Sequence, residues 1–264
     1  MRIATWNINS VVARLPRLLD WLAAAKPDVV CLQELKCSDS DFPAKAVGEL
    51  GYEAALNAAG RWNGVGILSK VGLDDMRAGL VDQPGFQAEG SMLEVTEPRA
   101  IGATCGGVRL WSVYVPNGRE LGHPHYDYKL RWLAALNQTV QQELSSDRRL
   151  AVLGDFNVAP TDADVWDISQ FVQSTHVSDP ERAALAALRT SGLVDVVPRA
   201  LKYDVPFTYW DYRQLCFPKN RGMRIDLVYG DQRFAESVVD SYVDREARKG
   251  TGASDHAPVV VDLA

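Results

Sequence analysis

Apolar positions recur along this chain in two distinct rhythms. Over Arg14–Ala25, Leu15, Leu18, Leu19 and Leu22 fall at helical spacing. Pro16 lies in the first turn, where its missing N–H is not needed, so the segment predicts a helix. Over His125–Leu144, Tyr126, Leu130, Leu133, Val140 and Leu144 gather on one side and predict a longer helix, and Glu181–Ser191 predicts a third. Elsewhere the apolar runs are short, continuous and bounded by turn formers, as buried strands are. Arg2–Asn9, Asp28–Glu34 with its core Val29-Val30-Cys31-Leu32, Val65–Lys70, Leu150–Leu153, Ile225–Tyr229 and Pro258–Leu263 read in this way. Ser91–Thr96 and Val108–Val115 are two further β-like runs.

The order of these elements constrains the fold. The first part alternates strand and helix, whereas the middle runs strand after strand with no helix between. A doubly wound sheet does not produce such a meander, but two packed sheets with helices outside do. Proline and glycine are spread evenly, with no linker, low-complexity tract or fixed-period repeat, so residues 1–264 are expected to form one α/β domain.

Several buried-looking strands end in a residue that can bind a hard cation. The first ends at Trp6-Asn7-Ile8-Asn9, the second at Gln33-Glu34, and the one after residue 150 at Gly154-Asp155-Phe156-Asn157. Another opens with Arg224-Ile225-Asp226, and the last is approached through Ser254-Asp255-His256. Carboxylates and amide carbonyls are the ligands that magnesium accepts, with water completing its shell. Asp155 and Asn157 alternate along an extended segment, which predicts one shared face. A single acid at a strand end is usually a turn former, and an isolated histidine such as His123, His125 or His176 is usually structural or solvated. Five such strand ends together point instead to metal-assisted hydrolysis.

Composition narrows the classes. Of 264 residues, 47% are hydrophobic and 23% charged, which fits a folded globular protein and excludes a disordered, collagen-like or disulfide-scaffold chain. The net charge of −6 excludes a polycation-type DNA binder. The four cysteines, Cys31, Cys37, Cys105 and Cys216, form no C-x-x-C pair, and Met1–Asn7 lacks the apolar core of a secretory signal. No run reaches the roughly 18 apolar residues of a membrane span. A reduced, cytoplasmic setting without a membrane partner is therefore expected. With four histidines and no Cys/His cluster, zinc is disfavoured and an oxygen-held metal favoured.

The spelling of the motifs is more specific. Ala4-Thr5-Trp6-Asn7-Ile8-Asn9-Ser10, Cys31-Leu32-Gln33-Glu34, Trp62-Asn63-Gly64-Val65, Tyr114-Val115-Pro116-Asn117-Gly118, Gly154-Asp155-Phe156-Asn157-Val158-Ala159-Pro160, Asn220–Asp226 and Ser254-Asp255-His256-Ala257-Pro258 occur in this order. The chain resembles, end to end, the exonuclease III family of AP endonucleases, within the endonuclease/exonuclease/phosphatase superfamily. The Val158-Ala159-Pro160 extension and Tyr209–Arg213 resemble the DNA-repair branch rather than the lipid or inositol phosphatases.

That resemblance implies a four-layer α/β sandwich with two central mixed β-sheets flanked by helices. It implies Glu34 as principal magnesium ligand, with Asn7 beside it and Asp155, Asn157 and Asp255 near the metal; manganese is the expected substitute. It implies that Asp155 positions or deprotonates the attacking water and that Asn157 hydrogen-bonds the same water or the pentacovalent phosphate. Tyr114 would contact the phosphate or the leaving oxygen, and His256 would bind a non-bridging oxygen, oriented by Asp226. Leu35 stands where the family commonly has a polar residue, and Tyr209 stands at the position of the aromatic wedge where a tryptophan is usual. On the DNA side the expected contacts are Asn117, Tyr209, Trp210, Arg213, Arg221 and Arg224.

Two basic segments sharpen that expectation. Between Arg213 and Arg224 lie four basic residues and no acid, and Arg245, Arg248 and Lys249 lead toward Asp255-His256. Basic side chains interleaved with aromatics suit backbone tracking with insertion at a gap. The implied activity is magnesium-dependent incision of double-stranded DNA 5′ to an abasic site, with 3′-phosphodiesterase or 3′-5′ exonuclease activity on blocked ends, by a monomer. The alternatives are a phosphatase of the same fold acting on a small phosphoester and an inactive DNA-binding module.

Overall fold

A computed structural model describes residues 1–264. In chain order the elements are β1 (Arg2–Asn7), α1 (Leu15–Ala25), β2 (Val29–Gln33), α2 (Ala44–Gly48), β3 (Glu53–Asn57), β4 (Val65–Ser69) and β5 (Asp74–Ala78). There follow β6 (Phe86–Gln87), β7 (Glu94–Val95), β8 (Ala100–Cys105), β9 (Val108–Tyr114), α3 (Pro124–Glu143), β10 (Arg149–Asp155) and α4 (Asp179–Thr190). The chain ends with β11 (Leu193–Asp195), β12 (Arg199–Ala200), β13 (Asp226–Asp231), α5 (Gln232–Ser237), β14 (Val238–Val243) and β15 (Val259–Leu263).

Seven strands form one sheet in the order β12-β14-β15-β1-β2-β4-β3, and six form a second in the order β11-β13-β10-β9-β8-β5. Each sheet is built around a parallel pair whose strands are joined through a helix: β1 and β2 through α1, β9 and β10 through α3. Antiparallel strands flank both pairs. Parallel neighbours need a long crossover and antiparallel ones a tight turn. That difference explains why the sequence alternates strand and helix in two places and meanders between them.

The inner faces of the sheets meet in a core that includes Ile3, Cys31 and Ile67 from the first and Leu110, Leu153 and Val228 from the second. Leu18 and Leu22 of α1 cover the outer face of the first sheet, against Ala4, Val30 and Leu68. Trp132 and Leu136 of α3 and Leu185 and Leu188 of α4 cover the second. The result is a four-layer α/β sandwich. Strands covered on both faces read as unbroken apolar runs rather than alternating ones, and β2, β4 and β8 are buried at every residue.

The sequence reading passed over several short or edge elements, among them β3, β5 and β14. β5, Asp74-Asp75-Met76-Arg77-Ala78, is exposed throughout and exists as an edge strand because it pairs with β8. The run at Ser91–Thr96 shrinks to Glu94–Val95, which joins β6 in a small hairpin outside both sheets. Helix α4 begins two residues before Glu181 because Ser178 and Glu181 form a reciprocal capping box. No helix is long and apolar enough to cross a membrane, and all four cysteines are free thiols.

Candidate active site

Strand pairing gathers the polar strand ends. Asp155, the last residue of β10, lies beside Tyr114 of β9 on one side and Asp226 of β13 on the other. In the facing sheet Asn7 of β1 lies beside Gln33 of β2. Gln33 is buried and donates across the sandwich to Ser112 Oγ (3.1 Å), which ties the two sheets together just below the site. Gly154 is required here by geometry. Its φ is +154°, and a Cβ at that position would lie 1.9 Å from the Val113 carbonyl oxygen.

Just past the strand ends, Asn9 (φ +47°), Glu34 (φ +52°) and Asn157 (φ +51°) adopt left-handed backbone. Such conformations in non-glycine residues carry strain and persist only where the surroundings hold them. They bend the chain off its strand. Asn157 consequently does not continue the extended alternation expected from Asp155, although both side chains line the same cavity of about 220 Å³. Glu34, Tyr114, Asn117, Tyr209, Asp255 and His256 line it too.

The groups are tightly cross-linked. Asn7 Nδ2 donates to both Glu34 Oε1 (2.9 Å) and Asp155 Oδ2 (2.9 Å). Lys36 Nζ lies 2.6 Å from the other Glu34 oxygen. The backbone N–H of Asn157 donates to Asp155 Oδ1 (2.9 Å). His256 Nδ1 donates to Asp226 Oδ2 (2.8 Å), and its Nε2 lies 3.9 Å from Asp155 Oδ2. Two contacts orient this corner from behind. Trp6 Nε1 donates to the His256 carbonyl (3.2 Å), and Thr208 Oγ1 accepts from the Asp226 N–H (3.0 Å). Tyr209 packs its ring 4.9 Å from that of His256. Asp255 Oδ1 accepts from Asn9 Nδ2 (2.9 Å).

These contacts set the charge states. Burial pushes Asp155 up to about 7, with the Asp226 and Glu34 carboxylates adding to the rise against the opposing charge of His256. Burial opposes charge on His256, but the Asp226 carboxylate beside it, joined by Asp155 and Asp255, outweighs burial, and the imidazole is pushed up to about 10. Burial also works against charge on Glu34, yet the Lys36 ammonium holds it below the usual carboxylate range. Tyr114 is raised well above a normal phenol, by burial first and then by Glu34, so it remains an O–H donor.

Glu34, Asp155 and His256 each bring one ligand atom within 4.8 Å of the others. The carboxylates are the better donors to a hard cation, because the histidine is held protonated by Asp226. Asp155 is raised by burial first and by the neighbouring Asp226 and Glu34 carboxylates second, and a divalent cation beside it would favour its charged form. The donor set therefore fits a hard divalent cation.

Several expected contacts are placed differently. Asn7 faces the carboxylates through its amide NH2, while its oxygen accepts from the Asn9 N–H (3.0 Å) and is turned away from a metal position between them. Trp210 is 1% exposed, stacks edge-on against Phe217 and donates to Asn220 Oδ1 (3.2 Å), so its indole is core and not a DNA contact. Arg224 is 3% exposed and spent on Asp164 (2.6 Å) and Asp195 (3.0 Å), so its guanidinium is not free for phosphate. Arg245 and Arg248 are likewise buried, each over an aromatic ring, Phe217 at 3.9 Å and Tyr212 at 4.9 Å. Arg213 is exposed and paired with Asp211, and Arg221 stacks over Trp166. Leu35 is fully buried in the outer core, where a polar side chain would find no water.

Three lining residues were missed by reading the sequence, one of them polar. His176 lines the cavity, and its Nε2 lies 3.2 Å from both Asn157 Oδ1 and Asn117 Nδ2. No acid or motif flanks it in the chain, so no local signal distinguishes it from a solvated histidine. Met223 and Ile225 complete the wall.

Comparison with known proteins agrees with this geometry. A model described as the endonuclease/exonuclease/phosphatase family matches residues 4–256. The chain is 36% identical to a 3′-5′ exonuclease from Neisseria meningitidis, with a TM-score of 0.91 over 100% of this chain and 99% of that one. It is 30% identical to an AP endonuclease from Archaeoglobus fulgidus, with a TM-score of 0.89 over 100% and 99% of the two chains. A curated exodeoxyribonuclease III from Haemophilus influenzae is 28% identical over 98% of each chain.

Proposed function

The chain belongs to the endonuclease/exonuclease/phosphatase family, in its exonuclease III and AP-endonuclease branch, and from that premise we propose the substrate and chemistry of this DNA-repair phosphodiesterase. The enzyme cuts duplex DNA on the 5′ side of an abasic site, leaving a 3′ hydroxyl, and removes blocked residues from 3′ ends. Likeness to both a 3′-5′ exonuclease and an AP endonuclease supports the pair of activities. The observation that carries the reading is the juxtaposition in one cavity of Asp155 with His256, whose Nε2 lies 3.9 Å from Asp155 Oδ2 and whose Nδ1 is bound to Asp226, beside Glu34; burial raises Asp155, and Asp226 raises His256. Around neutral pH such a pair offers a proton acceptor and a cationic donor in one cavity.

Each residue then has a stated task. Asp155 orients the attacking water and takes its proton, and Asn157 holds the same water or the developing equatorial oxygens. His256 presents Nε2–H to a non-bridging oxygen, while Asp226 keeps it protonated and fixes its ring. Tyr114, un-ionised, donates toward the phosphate or the leaving oxygen. Glu34, Asp155 and Asp255 are the oxygen donors for magnesium, or manganese in its place. When bound, the cation supplies charge to polarise the phosphoryl oxygen and stabilise the leaving one. An extrahelical abasic sugar carries no base to unstack, so it enters the cavity at lower cost than a normal nucleotide. Of the basic side chains, Arg213 and Arg221 remain as surface groups for phosphate, and Asn117 and Tyr209 face the cavity. The protein acts as a monomer in a cytoplasmic setting.

The decisive experiment incubates the enzyme with a duplex carrying one tetrahydrofuran abasic analogue, with magnesium or with EDTA. Magnesium-dependent incision immediately 5′ to the analogue is expected. Degradation only from 3′ ends would assign the enzyme to terminal processing, and activity surviving EDTA would overturn the metal assignment.

A further inference from the structure

Behind the wall formed by Asn117, Asn157 and His176 lies an ion pair that the chemistry above does not use. Lys129 projects from the second turn of α3 and Glu181 from the first turn of α4. The two side chains are hydrogen-bonded to each other, and both are 0% exposed. The rest of the ammonium's bonding capacity is directed at the backbone of the site. Lys129 Nζ donates to the carbonyl of Asn157 (2.7 Å) and to that of Asn117 (3.1 Å). Glu181 Oε1 accepts from Thr175 Oγ1 (2.6 Å) and from the backbone N–H of His176 (2.9 Å). Its Oε2 accepts from the N–H (3.1 Å) and Oγ (2.6 Å) of Ser178, the cap of α4.

Stability alone does not account for such a pair. Removing two charges from water is costly, and well-packed apolar residues in their place are often as stable. The partners supply the missing reason. Asn157 has left-handed backbone, and its side-chain Nδ2 is already fixed on the Val115 carbonyl (3.0 Å). The Lys129 bond fastens the peptide that follows, through a charge-assisted hydrogen bond of the stronger kind. The same ammonium fastens Asn117, so two elements of the cavity wall hang from one buried cation.

We propose that Lys129, held in place by Glu181, is a positioning residue that fixes Asn157 and Asn117 against the reacting phosphate. This rests on the phosphodiesterase reading above. The test compares wild type with Lys129→Met, Lys129→Arg and the double variant Lys129→Met/Glu181→Gln on the tetrahydrofuran duplex. Unfolding by urea is measured for each. A misplacement of about 1 Å at a reacting centre costs about 100-fold, so Lys129→Met should lower kcat about 10- to 100-fold with KM within about threefold. The double variant should regain stability, because no unpaired charge stays buried, but should not regain kcat. Lys129→Arg keeps a charged donor and should recover part of kcat.

If kcat in the double variant returns with its stability, the role is structural and the proposal is wrong. The same holds if Lys129→Met stays within about twofold of wild type, far short of the loss a misplaced group causes. Should Lys129→Met not fold, the double variant and Lys129→Arg give the same decision. Amide hydrogen exchange supplies a readout that needs no activity. Protection at residues 155–159 should fall in the double variant, and unchanged protection would also refute the proposal. A wild type that cuts no abasic duplex would overturn the functional reading instead, and the exchange measurement would still judge the pair.

Discussion

Replacing Asp226 by asparagine should lower the alkaline limit of catalysis. Asp226 is fully buried, and its Oδ2 accepts from His256 Nδ1 at 2.8 Å. Burial by itself lowers the imidazole, and this carboxylate is the foremost of the influences that instead raise it to about 10. A rise from 6.5 to about 10 corresponds to roughly 5 kcal/mol in favour of the charged ring. Asparagine preserves the shape and an acceptor for Nδ1–H but removes the charge, so burial gains weight and His256 titrates lower. Loss of a charged donor to the phosphoryl oxygen costs about 1.5–3 kcal/mol, or about 10- to 100-fold in rate. The assay is single-turnover cleavage of a tetrahydrofuran duplex at saturating magnesium from about pH 6 to about pH 10. A bound cation lowers the titration of both His256 and Asp155, so the diagnostic quantity is the displacement of the alkaline limb between variant and wild type. The variant should approach wild-type rates at the acid end and fall away earlier on the alkaline side. An unmoved alkaline limb with a uniformly reduced rate would refute the electrostatic role and leave Asp226 acting through geometry alone.

Three further outcomes follow from groups outside the reacting centre. Arg224→Met strands the Asp164 and Asp195 carboxylates and should destabilise the fold by about 3–5 kcal/mol in urea while leaving the salt dependence of DNA binding unchanged. Arg221→Ala should do the reverse, with little loss of stability and a salt slope smaller by about one. His125 is buried and accepts from the Gly118 N–H through Nδ1 (3.1 Å); burial, reinforced by Arg99 and Arg119, pushes it down to about 4. Its folded value lies below the unfolded one, so its contribution is complete above about pH 6.5 and is lost as pH falls through about 4. At about pH 5 that loss reaches up to about 2 kcal/mol, and urea unfolding of wild type against His125→Gln at about pH 7 and about pH 5 measures it. Equal drops in the two proteins would refute the assignment.

Much of the architecture was legible because it depends on local periodicity. The helices α1 and α3 announced themselves by apolar spacing, and β2, β4 and β10 by short apolar runs. Those runs are what strands covered on both faces require. β5 carries no such signature, because an exposed strand is made by its neighbour rather than by its own side chains. The polar strand ends were equally legible. Parallel and antiparallel pairing brings Tyr114, Asp155 and Asp226 into one register, and each sits next to a recognisable motif.

The sequence by itself determined the kinds of groups available and their order: acids and amides at strand ends, a histidine beside an acid, and a local excess of cations. It could not determine which charges are free. Arg224 closes a run from residue 213 that holds four basic residues and no acid, yet its partners Asp164 and Asp195 lie 60 and 29 residues away in the chain. Lys129 reads as one polar residue on an amphipathic helix, and only the packing of α4 against α3 makes it a buried cation. His176 enters the site because the loop before α4 closes over Asn157. Periodicity is a property of neighbours along the chain. Burial and pairing of a charge depend on desolvation and on partners that tertiary packing alone supplies.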